Sequence, residues 1–337
     1  MSKKRIEWVD AYKGLLILSV ILGHAIQETL KVRGIGFEDN IWRNLIYSFH
    51  MPAFMAMSGY LVYRPDVVGG ASCCLSLIYK RFRQLVVPFL IWSIPLFLVY
   101  HNVEHIYDYL LYPNKGYWFL WALFFIIVIY NIVDWGCRKI HLKQEFGIFL
   151  IMFLLIGIQM SLPDAKLLGF EYIAYYFIFY MMGYYANKYK EKLPKNTMVV
   201  WTIFALWLAM ACFWTPNGLP FFLEQIPYMP TKILQLGYRM LVPMMFILWM
   251  YSIAPKVMVN DNMIWKLLIE LGQISLGMYA AHMVVKNLFA QILLNMLPVF
   301  PIWSHVIIEF AVLTIMSLFV VRYMLKWKFT SKWLLGK

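Results

Sequence analysis

The sequence predicts an all-α polytopic membrane protein with about ten transmembrane helices. Of its 337 residues, 62% are hydrophobic and 14% are charged, whereas soluble domains average about 25% charged residues. Apolar stretches approaching the roughly 20 residues that a helix needs to cross a bilayer recur along the whole chain. The positive charges are concentrated in alternate connections between these stretches, as the positive-inside rule requires.

Ten apolar stretches give the predicted order of the spans. They lie at about 11–27, 45–63, 85–101, 117–134, 146–161, 171–187, 198–214, 233–253, 274–296 and 302–322. The first stretch is long and has no small-residue cleavage site after it, so we expect it to remain as a membrane anchor. The break between the fifth and sixth, at Pro163, Asp164 and Lys166, is short. We therefore expect one integral-membrane domain over residues 1–337, without a separate soluble domain.

The charge distribution supports this count and orients the chain. With the N-terminus in the cytoplasm, 22 of the 30 Lys and Arg residues fall in cytoplasmic segments and 6 in outer loops. One missed helix would invert every later loop, so the asymmetry predicts both termini in the cytoplasm. The net charge of +13 is then a topology signal, and no nucleic-acid partner is expected. Four cysteines without metal-ligand spacing predict neither a metal site nor a disulfide: Cys73, Cys74, Cys137 and Cys212.

The first predicted helix carries ionisable residues at its start and a histidine deep inside. Lys13 and His24 are eleven positions apart, close to three helical turns, so they share one face about 16 Å apart along the axis. Asp10 lies near the same stripe. Such groups at membrane depth usually face a protein interior or a water-filled cavity. Two interpretations stay open from this helix alone. The polar residues form a functional path, or Lys13 snorkels, Asp10 caps the helix or pairs with Lys13, and His24 bonds a neighbouring helix.

The second predicted helix places another histidine at a similar depth. A short outer loop makes the first two helices antiparallel neighbours, so His50 is expected near the outer end, beside His24. Pro52 is able to bend this helix and free a backbone carbonyl. Ser58 and Gly59 are small enough for close helix packing.

A basic cluster precedes the third span, at the predicted cytoplasmic mouth. Lys80, Arg81 and Arg83 stand almost side by side. Two interpretations are open. The cluster obeys the topology rule and touches anionic lipid, or it clamps the phosphates of an anionic cofactor through bidentate arginine contacts.

Two later segments add candidate residues. Trp118 is one of several outer aromatic residues that either form an interfacial belt or stack on a sugar. The ninth span places Ser275, Tyr279 and His282 on one helix. The remaining histidines, in loops or at helix ends, give no comparable signal: His101, His105, His141 and His305. The sequence contains no GxSxG, HExxH or P-loop motif.

These motifs together resemble the membrane-bound acyltransferase-3 family, bacterial O-acyltransferases of cell-surface sugars. The resemblance covers nearly the full length in the same order. It rests on Lys13 and His24 with ten residues between them, preceded by Asp10; Phe54 with Ser58-Gly59; Lys80 to Arg83 before Pro88; Trp118-Phe119-Leu120; and Ser275, Tyr279 and His282 in an S-x-x-x-Y-x-x-H segment. Two features depart from the family: lysine replaces the common arginine at Lys13 and Lys80, and the SGNH esterase-like domain of some members is absent.

The resemblance implies an enzyme that transfers an acyl group, most readily acetyl from acetyl-CoA, to a sugar hydroxyl. It implies His24 as general base, with a transient acyl-histidine left open. Lys13 and Asp10 would organise the entry side, and His50 would support His24 or orient the acceptor. The basic cluster would grip the phosphates of the donor. No tightly bound cofactor is expected.

Partners and location follow from the same resemblance. A glycan or lipid-linked sugar would accept the acyl group in a bacterial cytoplasmic (inner) membrane, with other envelope-glycan enzymes as candidate partners. The alternative is a transporter or flippase of a lipid-linked sugar, which shares the helix count, the buried polar residues and the basic loops. Paired broken helices in pseudo-symmetric halves would indicate it, and the sequence shows no such halves.

Overall fold

A computed structural model describes residues 5–36, 40–63, 71–100, 102–162, 166–215, 219–224, 230–257, 262–296 and 301–336. Their regular secondary structure is entirely helical, which confirms the all-α class for the described chain. The α-helices are α1 Glu7–Val32, α2 Ile41–Tyr47, α3 His50–Tyr60, α4 Ala71–Arg81, α5 Val87–Tyr100, α6 Asp108–Leu111, α7 Trp118–Lys139, α8 Gln144–Ser161, α9 Phe170–Lys188, α10 Thr197–Ala211, α11 Phe221–Glu224, α12 Thr231–Val257, α13 Met263–Gln273, α14 Ser275–Met296, α15 Ile302–Leu325 and α16 Lys328–Trp333.

Six helices in the described residues are long and apolar enough to cross a membrane. They are Glu7–Val32, Cys74–Tyr100, Trp118–Lys139, Gln144–Ser161, Thr231–Lys256 and Ile302–Leu325. A seventh span results if Met263–Gln273 and Ser275–Phe289, broken at Ile274, count as one. The helices of the other predicted spans are shorter or less apolar, so the count of ten stays a prediction. The predicted break at Pro163 and Asp164 lies outside the described residues.

The chain forms two compact units, each assembled from three segments. The first unit comprises Met1–Tyr63, Met181–Ser275 and Ala290–Ile315. The second comprises Arg64–Tyr180, Leu276–Phe289 and Met316–Lys337.

In the first unit, α1 packs against α13 so closely that no side chain fits between their backbones. A methyl group on Gly14 would overlap the carbonyl oxygen of Leu268, and one on Gly272 would overlap that of Asp10. Two glycines, one on each helix, therefore allow this contact, as small residues do in membrane helix pairs. Leu16, Ile17 and Ile21 of α1 are fully buried.

The prediction of one continuous helix over the second span, 45–63, was wrong. The structure instead has α2 and α3, separated at Phe49, whose φ of −132° and ψ of −35° are not helical. Pro52 explains the break, because its ring would clash with the carbonyl of Ser48 in a continuous helix and it has no N–H to donate. The sequence identified the proline but not the size of its effect.

In the second unit, the helical run of the third predicted span begins earlier than the expected residue 85 and includes the basic cluster. Lys80 and Arg81 end α4, which runs into a π-helical turn, Phe82–Val86, and then into α5. Residues Cys74–Tyr100 thus form one apolar helical run with the cluster inside it. Pro88, which cannot donate to the Gln84 carbonyl, favours the wider turn before α5.

Candidate functional site

The entrance of α1 is a polar patch held against α13. Asp10 and Lys13 are both half-buried on α1, and their opposite charges interact. The side-chain amide of Gln273, the last residue of α13, donates a hydrogen bond to the Asp10 carboxylate. The N-cap of α1 is Ile6, so the interpretation of Asp10 as a capping residue was wrong. The patch is instead part of the α1–α13 contact.

Further along α1, His24 lies half-buried where α2 and α3 meet this helix. Gly23 makes room for the neighbour, because a methyl group there would come within 3.1 Å of the Tyr47 ring. The Tyr47 hydroxyl donates to Gln27 Oε1 at 3.2 Å, and Gln27 is one turn after His24. The junction between α2 and α3 is thus fixed against the part of α1 that carries His24.

His50 is the first residue of α3 and lies in this junction. Its Nδ1 is 2.7 Å from the carbonyl oxygen of Ile46, a distance at which Nδ1 carries the hydrogen and donates it. The imidazole therefore replaces a backbone bond at the helix break, and the lone pair is left on Nε2. The ring also meets Tyr47 edge-on, with centroids 4.9 Å apart. His50 is buried.

Two further predicted site residues of the first unit are Ser58 and Ser275. The Ser58 hydroxyl donates to the Phe54 carbonyl one turn back on its own helix, at 3.0 Å. The close packing of α3 occurs at Ala56, whose carbonyl oxygen would overlap a methyl group on Gly183. Ser275 begins α14 and is half-buried.

The basic cluster of the second unit is distributed along one helical run. Lys80 is exposed, and Arg81 and Arg83 are half-buried. Arg81 Nη1 donates to Gln84 Oε1 at 3.0 Å, which orients that guanidinium across the π-helical turn. Both arginines remain partly accessible, as a phosphate-binding pair requires.

The C-terminal segment packs against the π-helical turn Phe82–Val86 and against α5. Gly336, at a φ of +65°, packs against the carbonyl of Gln84, where any side chain would overlap it. Trp92 on α5 donates through Nε1 to the Leu334 carbonyl at 2.9 Å. The first contact packs directly against Gln84, which accepts a hydrogen bond from Arg81, and the second holds the same C-terminal segment against α5. Sequence reasoning missed this support, because nothing local to the cluster indicates it.

The two late motifs meet in the same unit. Phe119 and Tyr117 contact Tyr279, with ring centroids 5.6 and 6.0 Å apart. The Tyr117 hydroxyl also donates to the Ala280 carbonyl at 3.0 Å. Tyr279 in turn lies 5.7 Å from the ring of His282, which is fully buried. The Trp118 segment and the helix of Tyr279 and His282 are therefore direct neighbours.

One buried polar cluster was not predicted from the sequence. Thr29 on α1 donates to Glu309 Oε2 on α15 at 3.0 Å, and His305 Nε2 lies 4.0 Å from the same oxygen. All three side chains are at most 2% exposed. A signal existed: Glu309 is the only acid in Ile302–Leu325 and lies one turn from His305. Within the described residues, no group of three His, Cys, Asp or Glu side chains is placed to hold a metal ion.

Helices of spanning length, an apolar composition and polar side chains buried between helices define an integral membrane protein. A family model described as an acyltransferase domain matches residues 6–325, and the chain belongs to this acyltransferase-3 family.

Curated relatives share parts of the chain. Nodulation protein NolL of Mesorhizobium japonicum is 27% identical over 222 residues, which are 60% of this chain and 54% of that protein. Nodulation protein NolL of Sinorhizobium fredii is 34% identical over 126 residues, which are 34% of this chain and 32% of that protein. The chain thus spans about half the length of the first relative and about a third of the second. No solved structure matches significantly.

Proposed function

We propose that this protein is a membrane O-acyltransferase that moves an acetyl group from acetyl-CoA to a hydroxyl of a cell-surface or lipid-linked glycan. The observation that carries the proposal is the family match over residues 6–325. Two features of the chain support it independently. A basic cluster suits a polyanionic donor, and a half-buried histidine, His24, lies inside an apolar helix.

His24 acts as the general base in this proposal. The acceptor oxygen attacks the thioester carbonyl while the imidazole takes the hydroxyl proton. The carbon–sulfur bond then breaks, and the thiolate leaves and receives that proton. Alternatively, His24 first accepts the acetyl group and passes it on. His50 is a positioning residue, since its Nδ1 is committed to the Ile46 carbonyl. Lys13 and Asp10 organise the entry side.

In this proposal the basic cluster binds the donor, acetyl-CoA. Arg81 and Arg83 are half-buried and able to form charge-assisted bonds with phosphate oxygens, and the exposed Lys80 adds a point charge. The bond from Arg81 to Gln84 reduces the side-chain entropy that binding would cost. Acetyl-CoA is a donor substrate here, and no resident cofactor is proposed.

The same proposal includes the orientation of the chain in the membrane. Ten spans, both termini in the cytoplasm and a bacterial inner-membrane location agree with the distribution of 22 against 6 positive charges. Under this orientation the donor comes from the cytoplasm, and the glycan is on the outer side or on a lipid carrier. Enzymes that build the glycan are the partners of this arrangement.

The test is acetyl transfer in membrane vesicles that contain the full-length protein. Labelled acetyl-CoA and a panel of glycans should give labelled glycan together with free CoA, and empty vesicles should give neither. A transporter of a lipid-linked sugar predicts the opposite result. The sugar lipid would change sides without acetyl-CoA, and no labelled ester would form.

A further inference from the structure

Three aromatic rings form a stack where α7 and α9 begin. Trp118 is the first residue of α7, and Tyr172 and Tyr176 lie one turn apart on α9. The indole centroid is 4.5 Å from the Tyr172 ring and 5.0 Å from the Tyr176 ring, with interplanar angles of 24° and 30°. The two tyrosine rings are 6.3 Å apart and 25° from parallel. All three planes therefore run in nearly the same direction.

These distances show that both tyrosines lie against one face of the indole. A sandwich around the indole would separate the tyrosine centroids by about the sum of their distances from it, far more than the observed 6.3 Å. The tyrosines therefore leave the other indole face uncovered. The nearest ring in sequence, Phe119, meets Trp118 edge-on at 85° and does not stack on it. We call Trp118, Tyr172 and Tyr176 the aromatic platform.

The platform is half-buried rather than part of the core. Its three side chains and the neighbouring Glu171 are partly exposed, whereas Tyr117 and Phe177 beside them are fully buried. Trp121 Nε1, further along α7, donates to the Leu168 carbonyl just before α9 at 2.9 Å, which links the two helices near the platform. A flat, partly exposed aromatic surface with a carboxylate residue, Glu171, directly before Tyr172 in the sequence has the composition of a ligand site.

We propose that the aromatic platform binds a pyranose ring of the glycan acceptor. A pyranose has an apolar C–H face that matches an indole face, and its rim hydroxyls donate well to a carboxylate such as Glu171. In the proposed orientation both helices begin at the outer surface, where such a glycan is found. The platform also adjoins the cluster of Phe119, Tyr279 and His282. The inference rests on the proposed function and adds a location for its acceptor.

The experiment is saturation-transfer difference NMR on the full-length protein in lipid nanodiscs. The probes are methyl β-galactopyranoside, which has a continuous C–H face, and sorbitol, which has hydroxyl groups but no ring. The pyranoside should receive saturation mainly on its C–H face, and sorbitol should receive little. Trp118→Ala should weaken pyranoside binding about ten-fold, and Trp118→Phe should retain part of it. Trp135→Ala, an exposed tryptophan further along the same helix, is the matched control and should bind normally.

Equal saturation in the wild type and Trp118→Ala, equal saturation of both probes, or no saturation of the pyranoside would overturn the inference. If Trp118→Ala fails to assemble, Tyr176→Leu removes a supporting ring and should weaken binding in the same direction. Unchanged binding in that variant also counts against the platform. Acetyl transfer separates the two proposals. An unchanged acceptor KM in Trp118→Ala would contradict the platform as the acceptor site but not the acyltransferase function. Trp118-dependent pyranoside binding without any acetyl transfer would contradict the acyltransferase function but not the sugar-binding platform.

Discussion

At the scale of single residues, glycines decide how closely helices approach. Gly14 and Gly272 face backbone atoms with no space for a methyl group, while Gly136 on α7 has open space where its methyl group would lie. The same substitution should therefore have opposite effects at these sites. This difference depends on long-range packing, so the sequence alone did not predict it.

Gly14→Ala and Gly272→Ala should each lower stability by several kcal/mol, because α1 and α13 must move apart. Gly136→Ala should be neutral, or stabilising by about 0.5–1 kcal/mol through better helix propensity. Thermal unfolding in detergent measures all three. Equal unfolding temperatures for Gly14→Ala and Gly136→Ala would contradict the close α1–α13 contact.

The histidine at the α2–α3 break should show its structural role directly. His50→Phe removes the donor to the Ile46 carbonyl, so it should cost about 1–3 kcal/mol of stability. His50→Gln retains an amide donor and should lose less. Chemical denaturation in mixed micelles compares the two. A Phe variant as stable as the Gln variant would show that the 2.7 Å bond contributes nothing.

At the scale of elements, the two departures from the predicted span bounds both lie close to prolines. Pro52 and Pro88 were visible in the sequence, but proline allows a bend, a restart or a π-helical turn. In the structure the His50 imidazole donates to the Ile46 carbonyl at the first site, and Gly336 packs against the Gln84 carbonyl at the second. Apolar runs in the sequence match six helices of spanning length in the described residues, and a seventh if the broken pair is one span. The positions of the breaks depend on side-chain and packing contacts that apolar runs do not encode.

The basic cluster gives a prediction about the donor. Arg83→Ala should weaken acetyl-CoA binding about ten- to a hundred-fold, because a charge-assisted contact of roughly 1.5–3 kcal/mol is lost. Arg138→Ala is the matched control, since Arg138 is paired with Asp134 at the end of α7. Isothermal titration measures both affinities. If Arg83→Ala binds acetyl-CoA normally, the cluster serves topology or lipid contact alone.

The C-terminal support predicts an effect from outside the cluster. Gly336→Val would displace Gln84 and release Arg81, so acetyl-CoA should bind less tightly although no cationic residue has changed. Gly34→Val is the control, because Gly34 has a similar φ of +64° but open space around it. Both variants carry similar backbone strain, so a difference in affinity reports the contact with Gln84.

At the scale of the whole molecule, composition and charge predicted the class of protein. The sequence predicted only some of its buried polar residues. The all-α class and the family follow from features spread along the chain, which local errors do not remove. The proximity of His24 and His50, expected from the short loop between their helices, stays a prediction. The buried set of Thr29, His305 and Glu309 was not predicted, because it joins helices from opposite ends of the sequence.

The central claim is that His24 takes a proton from the acceptor hydroxyl, and one transfer assay tests it most directly. Labelled acetyl transfer to glycan is measured for the wild type, His24→Gln and His141→Gln, with acetyl-CoA binding measured in parallel. An amide cannot accept the proton, so His24→Gln should lose about 100- to 10,000-fold in rate while donor binding survives. His141→Gln changes an exposed loop histidine and should transfer normally. A folded His24→Gln protein that acetylates glycan at the wild-type rate would contradict the account.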